Sequence, residues 1–337
     1  MLFSAIIYRR RKRISAYLRG LEVSKRMVPR LSLTDYISGN DHQKQEFIKD
    51  LIIGLKEYGF IILKDHLVSQ ETVDTAYKKF MQLFHLPLDS KMVYGKEEFK
   101  KQRGYIPFGL EQAVGNKFPD LKEFWHVGRE ISRDHRFSEH YPENIWPKEI
   151  EDFRETVLEL YDDMDKSSSY LLQAIAEGLD LEKNYFEKMI EDGNSILRCI
   201  HYPPTEGKDT KNAVRAAAHG DINLITLLVG ATDSGLELLD RDGEWLAVES
   251  GPGEIVVDTG DMMSRITNEV LPSTIHRVVN PDDSSSARFS MPFFVHPNPE
   301  SVLECIPTCE GDGAKYPPIN AQEFLYERLK NIGLKPS

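Results

Sequence analysis

Cysteine is scarce in this chain: three among 337 residues, at positions 199, 305 and 309. An odd, sparse set excludes a disulfide scaffold and fits a reducing compartment. Cys305 and Cys309 lack further Cys or His company at metal-site spacing, so all three are assigned structural or neutral roles. No apolar run approaches the roughly 20 residues of a membrane span. There is no internal repeat, collagen period or low-complexity block. Positive charge is missing where a nucleic-acid binder would need it. The net charge is −12, but residues 1–30 hold nine Lys/Arg against one Glu, leaving −20 on the rest. An acidic body repels a phosphate backbone, so no nucleic-acid partner is expected.

What is present describes a folded chain. Apolar residues make up 40% and charged residues 28%, with 3 Trp, 14 Tyr and 16 Phe. The length allows one large domain or two small ones. Residues 1–27 read as a basic, non-catalytic extension, either disordered or upstream of the true start at Met27. Its short apolar stretch precedes the cluster Arg9-Arg10-Arg11-Lys12-Arg13, the reverse of a secretory signal. An organelle-targeting or membrane-surface helix is the lesser reading. A cytoplasmic protein without stable membrane insertion, monomeric or weakly dimeric, is expected.

Periodicity divides the remainder. Phe47, Leu51, Ile52 and Leu55 recur at helical spacing within 43–58, and Gly59 separates them from the strand-like Phe60-Ile61-Ile62-Leu63. Val73, Ala76, Tyr77, Phe80 and Phe84 mark a second helix stopped by Pro87, and a third is expected over about 147–177. After Asn194 the pattern changes to short strands at 195–202, 223–229, 237–239, 245–248, 255–258, 274–279 and 288–295, followed by a helix at 321–332. Short strands without intervening long helices argue for a sandwich, barrel or jelly roll rather than a doubly wound sheet. The expected divisions are 1–27, a helix-rich 28–190 contributing the pocket rim, a jelly-roll core at 191–300, and a C-terminal segment at 301–337.

The chemistry concentrates in three places. His219-Gly220-Asp221 puts an imidazole and a carboxylate two positions apart, on one face if the backbone is extended. His276 follows in another strand candidate, from which a sheet could deliver a third ligand. Two imidazoles and one carboxylate form the facial set of non-haem Fe(II) oxygenases, with positions left open. Arg288-Phe289-Ser290 alternates a guanidinium fork and a hydroxyl on one side of a strand, suited to the far carboxylate of a small dicarboxylic acid. The surrounding Phe289, Met291, Phe293, Phe294 and Val295 suggest that this strand is buried.

These motifs, with Thr267-Asn268 and Ser273-Thr274-Ile275-His276-Arg277-Val278 in order between them, resemble the isopenicillin N synthase-like branch of the Fe(II)/2-oxoglutarate-dependent oxygenases. The resemblance extends over about 28–295. It implies a double-stranded β-helix core with flanking helices. It also implies one Fe(II) per chain held by His219, Asp221 and His276, with 2-oxoglutarate as cosubstrate and O2 as oxidant. Arg288 and Ser290 resemble the donors to the distal carboxylate, and Tyr202, in His201-Tyr202-Pro203-Pro204, resembles the tyrosine that joins them. Many relatives carry Asn two positions before that tyrosine; this chain has Ile200. Gly260-Asp261 is expected to form a turn with Asp261 as a local backbone acceptor, and 206–212 is expected to be mobile.

The activity implied is oxidation of a small molecule with release of succinate and carbon dioxide. Arg103, Tyr105, Phe108, Trp125 and Arg129 are expected at the substrate pocket, where aromatic and basic groups would suit an acidic or amino-acid-like molecule. Alternatives are an iron oxidase that takes all its electrons from the substrate, an ethylene/succinate-forming enzyme, or a catalytically silent small-molecule sensor.

Overall fold

A computed structural model describes residues 27–95, 102–109, 120–204, 215–280 and 285–331. Residues 1–26 of the expected extension, the stretch 206–212 and Ile332 lie outside the described residues. Among the described residues, no helix is long and apolar enough to cross a membrane.

The helices form for local reasons that the sequence carries. Asn40 caps helix α1 (Asp41–Tyr58), accepting from Gln43 N while the Gln43 side chain accepts from Asn40 N. This reciprocal box satisfies two N–H groups that the helix start leaves bare. Gly59 ends the helix at φ 66, where a Cβ would stand 2.1 Å from Thr274 Oγ1. Only glycine allows that left-handed turn and that approach together. Helix α2 (Gln70–His85) starts on the Ser69 cap. Helix α3 (Phe153–Gly178) buries Val157, Leu160, Tyr161, Met164, Leu171, Leu172 and Ile175. It begins at 153 rather than about 147, after Asp152 turns at φ 53. The last described helix, Ala321–Asn331, lies where expected.

Twelve strands build the core: β1 (Arg30–Ser32), β2 (Phe60–Lys64), β3 (Gly104–Ile106), β4 (Glu123–Gly128), β5 (Ile196–Tyr202), β6 (Ala216–His219), β7 (Ile225–Val229), β8 (Leu236–Leu239), β9 (Trp245–Ala247), β10 (Ile255–Thr259), β11 (His276–Val278) and β12 (Arg288–Val295). Among the described residues they form a large sheet in the order β1-β2-β10-β7-β12-β5-β4-β3 and a small one in the order β6-β11-β8-β9. All pairs are antiparallel except β1 with β2. This is the expected jelly roll with flanking helices. The strands β1, β3, β4 and β6 were not foreseen. In β6 the segment Ala216-Ala217-Ala218-His219 has little β-branched or aromatic character, so its pairing with β11 decides its state.

Alternation gives the large sheet two unlike faces. Ile61, Leu63, Trp125, Leu197, Cys199, Leu227, Val257 and Phe293 point outward into one apolar core with α1, α2 and α3. Phe60, Ile62, Phe124, Ile200, Tyr202 and Val256 point the other way, meeting Leu236, Leu238 and Val278 of the small sheet. The space between the sheets is where the functional side chains gather.

Candidate active site

His219 ends β6 and His276 begins β11, and the two are direct partners across that strand pair. Their ring centroids stand 4.5 Å apart. Asp221 follows two residues after His219, past the end of the strand rather than within it. Its backbone is held instead by the start of the short helix Asp261–Ile266: Asp261 N donates to Asp221 O at 2.8 Å and Gly260 N to Leu224 O at 3.0 Å. A Cβ on Gly260 would lie 2.3 Å from Asn223 O, so this approach requires glycine. Asp261 is therefore not the acceptor in a simple turn; its carboxylate takes a hydrogen bond from the Arg328 guanidinium of the C-terminal helix.

Each ligand candidate has one atom tied back and one left facing the centre. His219 Nδ1 bonds Ala217 O at 2.7 Å and His276 Nδ1 bonds Thr274 O at 3.2 Å. With Nδ1 protonated to meet those carbonyls, Nε2 of each ring keeps its lone pair. Asp221 Oδ2 accepts from Thr226 Oγ1 at 2.5 Å, leaving Oδ1 at 3.9 Å from His219 Nε2 and 3.8 Å from His276 Nε2. These separations are too long for hydrogen bonds, yet all three atoms lie within 4.8 Å of one another. Two atoms each about 2 Å from a shared ion stand at most about 4 Å apart, so the 3.8 and 3.9 Å separations lie just inside that limit and would shorten around a bound ion.

The electrostatics point the same way. Crowding by protein lowers the His219 pKa, with the neighbouring His276 adding to it, although 40% of the His219 side-chain surface stays open towards the pocket. Both effects favour the neutral, ligating form. Phe60 packs edge-on against His276, with centroids 5.6 Å apart. Asp258, paired in register with Thr226, is buried and has its pKa raised by burial and then by Asp221.

Arg288, Ser290 and Tyr202 meet on the inner face of β12 and β5. Arg288 and Tyr202 are register partners, and Ser290 lies opposite Ile200. Arg288 is 1% exposed; Nε donates to Asp233 O at 3.2 Å, while Nη1 is buried with no partner among the described residues. The guanidinium carbon stands 5.1 Å from the Tyr202 ring centroid. A buried cation holding a donor in reserve suits an anion placed between it and the histidines.

The residues expected at the pocket divide differently. Tyr105 and Trp125 point outward into the helix-facing core. Arg129 also points outward, donating to Asp165 at 2.9 Å and to Gly193 O at 2.8 Å. Arg103 packs its guanidinium against Gly128, where a Cβ would lie 2.0 Å from Nη2, and feels Tyr161 of α3. The structure therefore does not bring these four to the face of the histidines; the period-2 alternation turns them away. Phe108, 42% exposed, lies just past β3.

Their neighbours by one residue take the inner positions. Phe124 lines the inter-sheet space, and Arg198 Nε donates to His126 Nε2 at 2.6 Å. The Arg198 guanidinium lies 4.4 Å from the Phe124 ring centroid and 5.2 Å from that of Phe294. Lys122 pairs with Asp120 at 2.9 Å and is close enough to lower the His219 pKa further. The sequence alone does not show which parity of β4 faces inward, since the strand is buried at every position and its inner face is set by the pairing with β5.

Comparison with known proteins agrees with this geometry. The non-haem dioxygenase N-terminal model, named for morphine synthesis, matches residues 28–149, and the 2OG-Fe(II) oxygenase superfamily model matches residues 193–297. The 2-oxoglutarate-Fe(II) type oxidoreductase hxnY of Emericella nidulans is 32% identical over 308 residues, covering 88% of each chain. A solved 2OG-Fe(II) oxygenase family protein from Caulobacter crescentus is 42% identical with a TM-score of 0.82, covering 90% of this chain and 99% of that one. A full-length Neurospora crassa protein, solved in complex with alpha-KG and thymine, is 28% identical with a TM-score of 0.82, covering 92% of this chain and 98% of its own.

Proposed function

Because the chain belongs to the 2OG-Fe(II) oxygenase superfamily, we propose specific roles for its residues within the Fe(II)- and 2-oxoglutarate-dependent oxidation of a small molecule that it carries out. His219 Nε2, His276 Nε2 and Asp221 Oδ1 hold the iron. Arg288, with Ser290 and Tyr202, receives the distal carboxylate of 2-oxoglutarate. The bound metal and cosubstrate supply the redox chemistry, with succinate and carbon dioxide as coproducts; the protein supplies position and exclusion of water. Asp221 stays oriented through Thr226, both imidazoles keep Nε2 turned to the metal position through their Nδ1 bonds, and Phe60 packs against one side of His276. The observation that carries this reading is the pairing of three free ligand atoms within 4.8 Å with an unpartnered donor on the buried Arg288.

For the substrate we propose a small acidic molecule with a flat portion, handled in the cytoplasm. Arg198, His126 and Lys122 put cationic or donor groups on the inner face beside the Phe124 and Phe294 rings. The Neurospora crassa relative was solved with thymine, a planar ring with carbonyl acceptors, and such a shape suits a guanidinium flanked by aromatics. Three free cysteines agree with a reducing compartment.

The test is an anaerobic Fe(II) titration with and without 2-oxoglutarate, following the visible metal-to-ligand charge-transfer band. The band should require both additions. His219→Ala should abolish it, and Arg288→Ala should raise the half-saturating 2-oxoglutarate about a hundredfold, as expected for losing a buried charged partner. Iron binding without any cosubstrate band would refute the assignment of the clamp.

A further inference from the structure

Behind Arg288 stands a second buried arginine that the iron and cosubstrate roles above do not use. Arg215, just before β6, is 1% exposed. Its Nη1 donates to Asp233 Oδ2 at 3.0 Å and its Nη2 to Ser286 O at 2.8 Å, while Nε has no partner among the described residues. Its guanidinium carbon lies 5.9 Å from the Tyr202 ring centroid, so two guanidinium groups flank one tyrosine. Two buried cations this close repel, and the field of Arg215 works against the charge on Arg288. Such an arrangement costs stability unless anions answer it.

Asp233 answers part of it and joins the two groups. Its carboxylate binds Arg215 and accepts from Ser286 Oγ at 3.2 Å, while its backbone carbonyl accepts from Arg288 Nε. The turn that carries Asp233 is pinned to β12 beside Arg288: Thr232 N donates to Phe289 O at 3.1 Å, and Phe289 N donates to Thr232 Oγ1 at 2.9 Å. Arg288 thus takes its orientation from a carbonyl whose own residue is anchored by Arg215.

We propose that Arg215 is a positioning residue for the anion clamp: through Asp233 it fixes the fork of Arg288 and so sets the affinity and chain-length preference for the dicarboxylate cosubstrate. The proposal rests on the reading of Arg288 as that clamp. One carboxylate, Asp233, sits between two guanidinium groups, so a net positive charge remains for an incoming carboxylate. The unpartnered Arg288 Nη1 is the donor kept for it.

The test uses the full chain under anaerobic conditions with Fe(II) saturating and 2-oxoglutarate varied. Arg215→Met should raise the half-saturating concentration about tenfold, less than the roughly hundredfold that a 1 Å misplacement can produce. The Fe(II) half-saturation should not move. Asp233→Asn keeps Arg215 but severs the link; it should give a similar rise, and it carries the test if Arg215→Met does not fold. The double variant should be no worse than the worse single one, because both act through one connection. Preference for 2-oxoglutarate over 2-oxoadipate, one methylene longer, should narrow in each variant, which simple loss of stability would not cause. A folded Arg215→Met with unaltered cosubstrate dependence, or additive effects in the double variant, would overturn the proposal. If Arg288→Ala also left that dependence unaltered, the clamp reading would fall with it; an effect of Arg288→Ala alone would leave that reading standing.

Discussion

The two faces of the large sheet treat buried polar groups in opposite ways. On the outer face, the Glu123 carboxylate accepts from Lys91 Nζ at 2.8 Å, Tyr105 OH at 2.5 Å and His201 Nδ1 at 2.7 Å. Burial pushes its pKa up, and those three donors pull it below the usual carboxylate range. On the inner face, Asp221 Oδ1 stands almost 4 Å from both the His219 and the His276 Nε2 atoms, and Arg288 keeps an unused donor. A closed network has no capacity left for a ligand, whereas an open one is a cost that a ligand relieves. The outer cluster is therefore scaffold and the inner one is site, although both hold histidine, carboxylate and cation. Arg103 departs from this division: on the outer face, its Nε and Nη2 lack partners, and burial lowers its pKa to about 10.

The largest effect that bears on this contrast is expected from the scaffold. Glu123→Gln leaves Lys91 buried beside a neutral group and should cost about 4 kcal/mol of stability in urea unfolding, as breaking a buried ion pair does. The half-saturating concentrations of Fe(II) and 2-oxoglutarate should stay where they were. A shift in either would mean that the outer network reaches through the sheet, and the division between faces would fail.

A second, smaller effect concerns His296, which continues the inner face past β12. It is buried, and burial pushes its pKa down to about 4 despite the opposing pull of Asp221. In the unfolded chain it titrates near 6.5, so between those values the native state binds fewer protons than the unfolded one. Its contribution is complete above about pH 6.5 and is lost as the pH falls towards 4, by roughly 3 kcal/mol if the whole shift is realised. His296→Phe should flatten this stretch of the stability curve. An unaltered slope would show that the imidazole is already charged, or solvated, at neutral pH.

Much of this was legible in the sequence, and the limits have physical causes. Helix α1 announces itself through Asn40, its apolar spacing and Gly59, and β12 through an eight-residue run that matches its observed ends. His219, Asp221, His276 and Arg288 could be singled out because their residue types have few other uses in that order. The pocket could not, because the choice between Trp125 and Phe124, or Tyr105 and Ile106, depends on which face of a strand is inward. A one-residue error in parity reverses every side chain. Strand β4 carries apolar residues on both faces, so its alternation is invisible until its neighbours are known. Arg215 and Asp233 are distant in sequence from the Arg288 they support, and only the folded sheet order shows their use; Thr226 is five residues from Asp221, yet its bond to that carboxylate shows only in the folded turn.

The smallest expected effect tests the finest part of the contrast, which is how a ligand atom is kept free. Thr226 Oγ1 donates to Asp221 Oδ2, and Asn223 Nδ2 donates to Thr226 Oγ1 at 3.1 Å and to Ile225 O at 2.6 Å. The chain of donors occupies one carboxylate oxygen and aims the other at the histidines. Thr226→Val keeps the shape and removes the donor, so Asp221 can rotate. Fe(II) half-saturation should rise about tenfold, the lower end of what losing a partner of a metal ligand costs. With iron saturating, the 2-oxoglutarate dependence should not change, since Arg288 is held through Asp233 instead. If iron affinity is unaffected, the backbone bond from Asp261 N to Asp221 O suffices to orient the carboxylate, and Thr226 belongs with the scaffold despite facing inward.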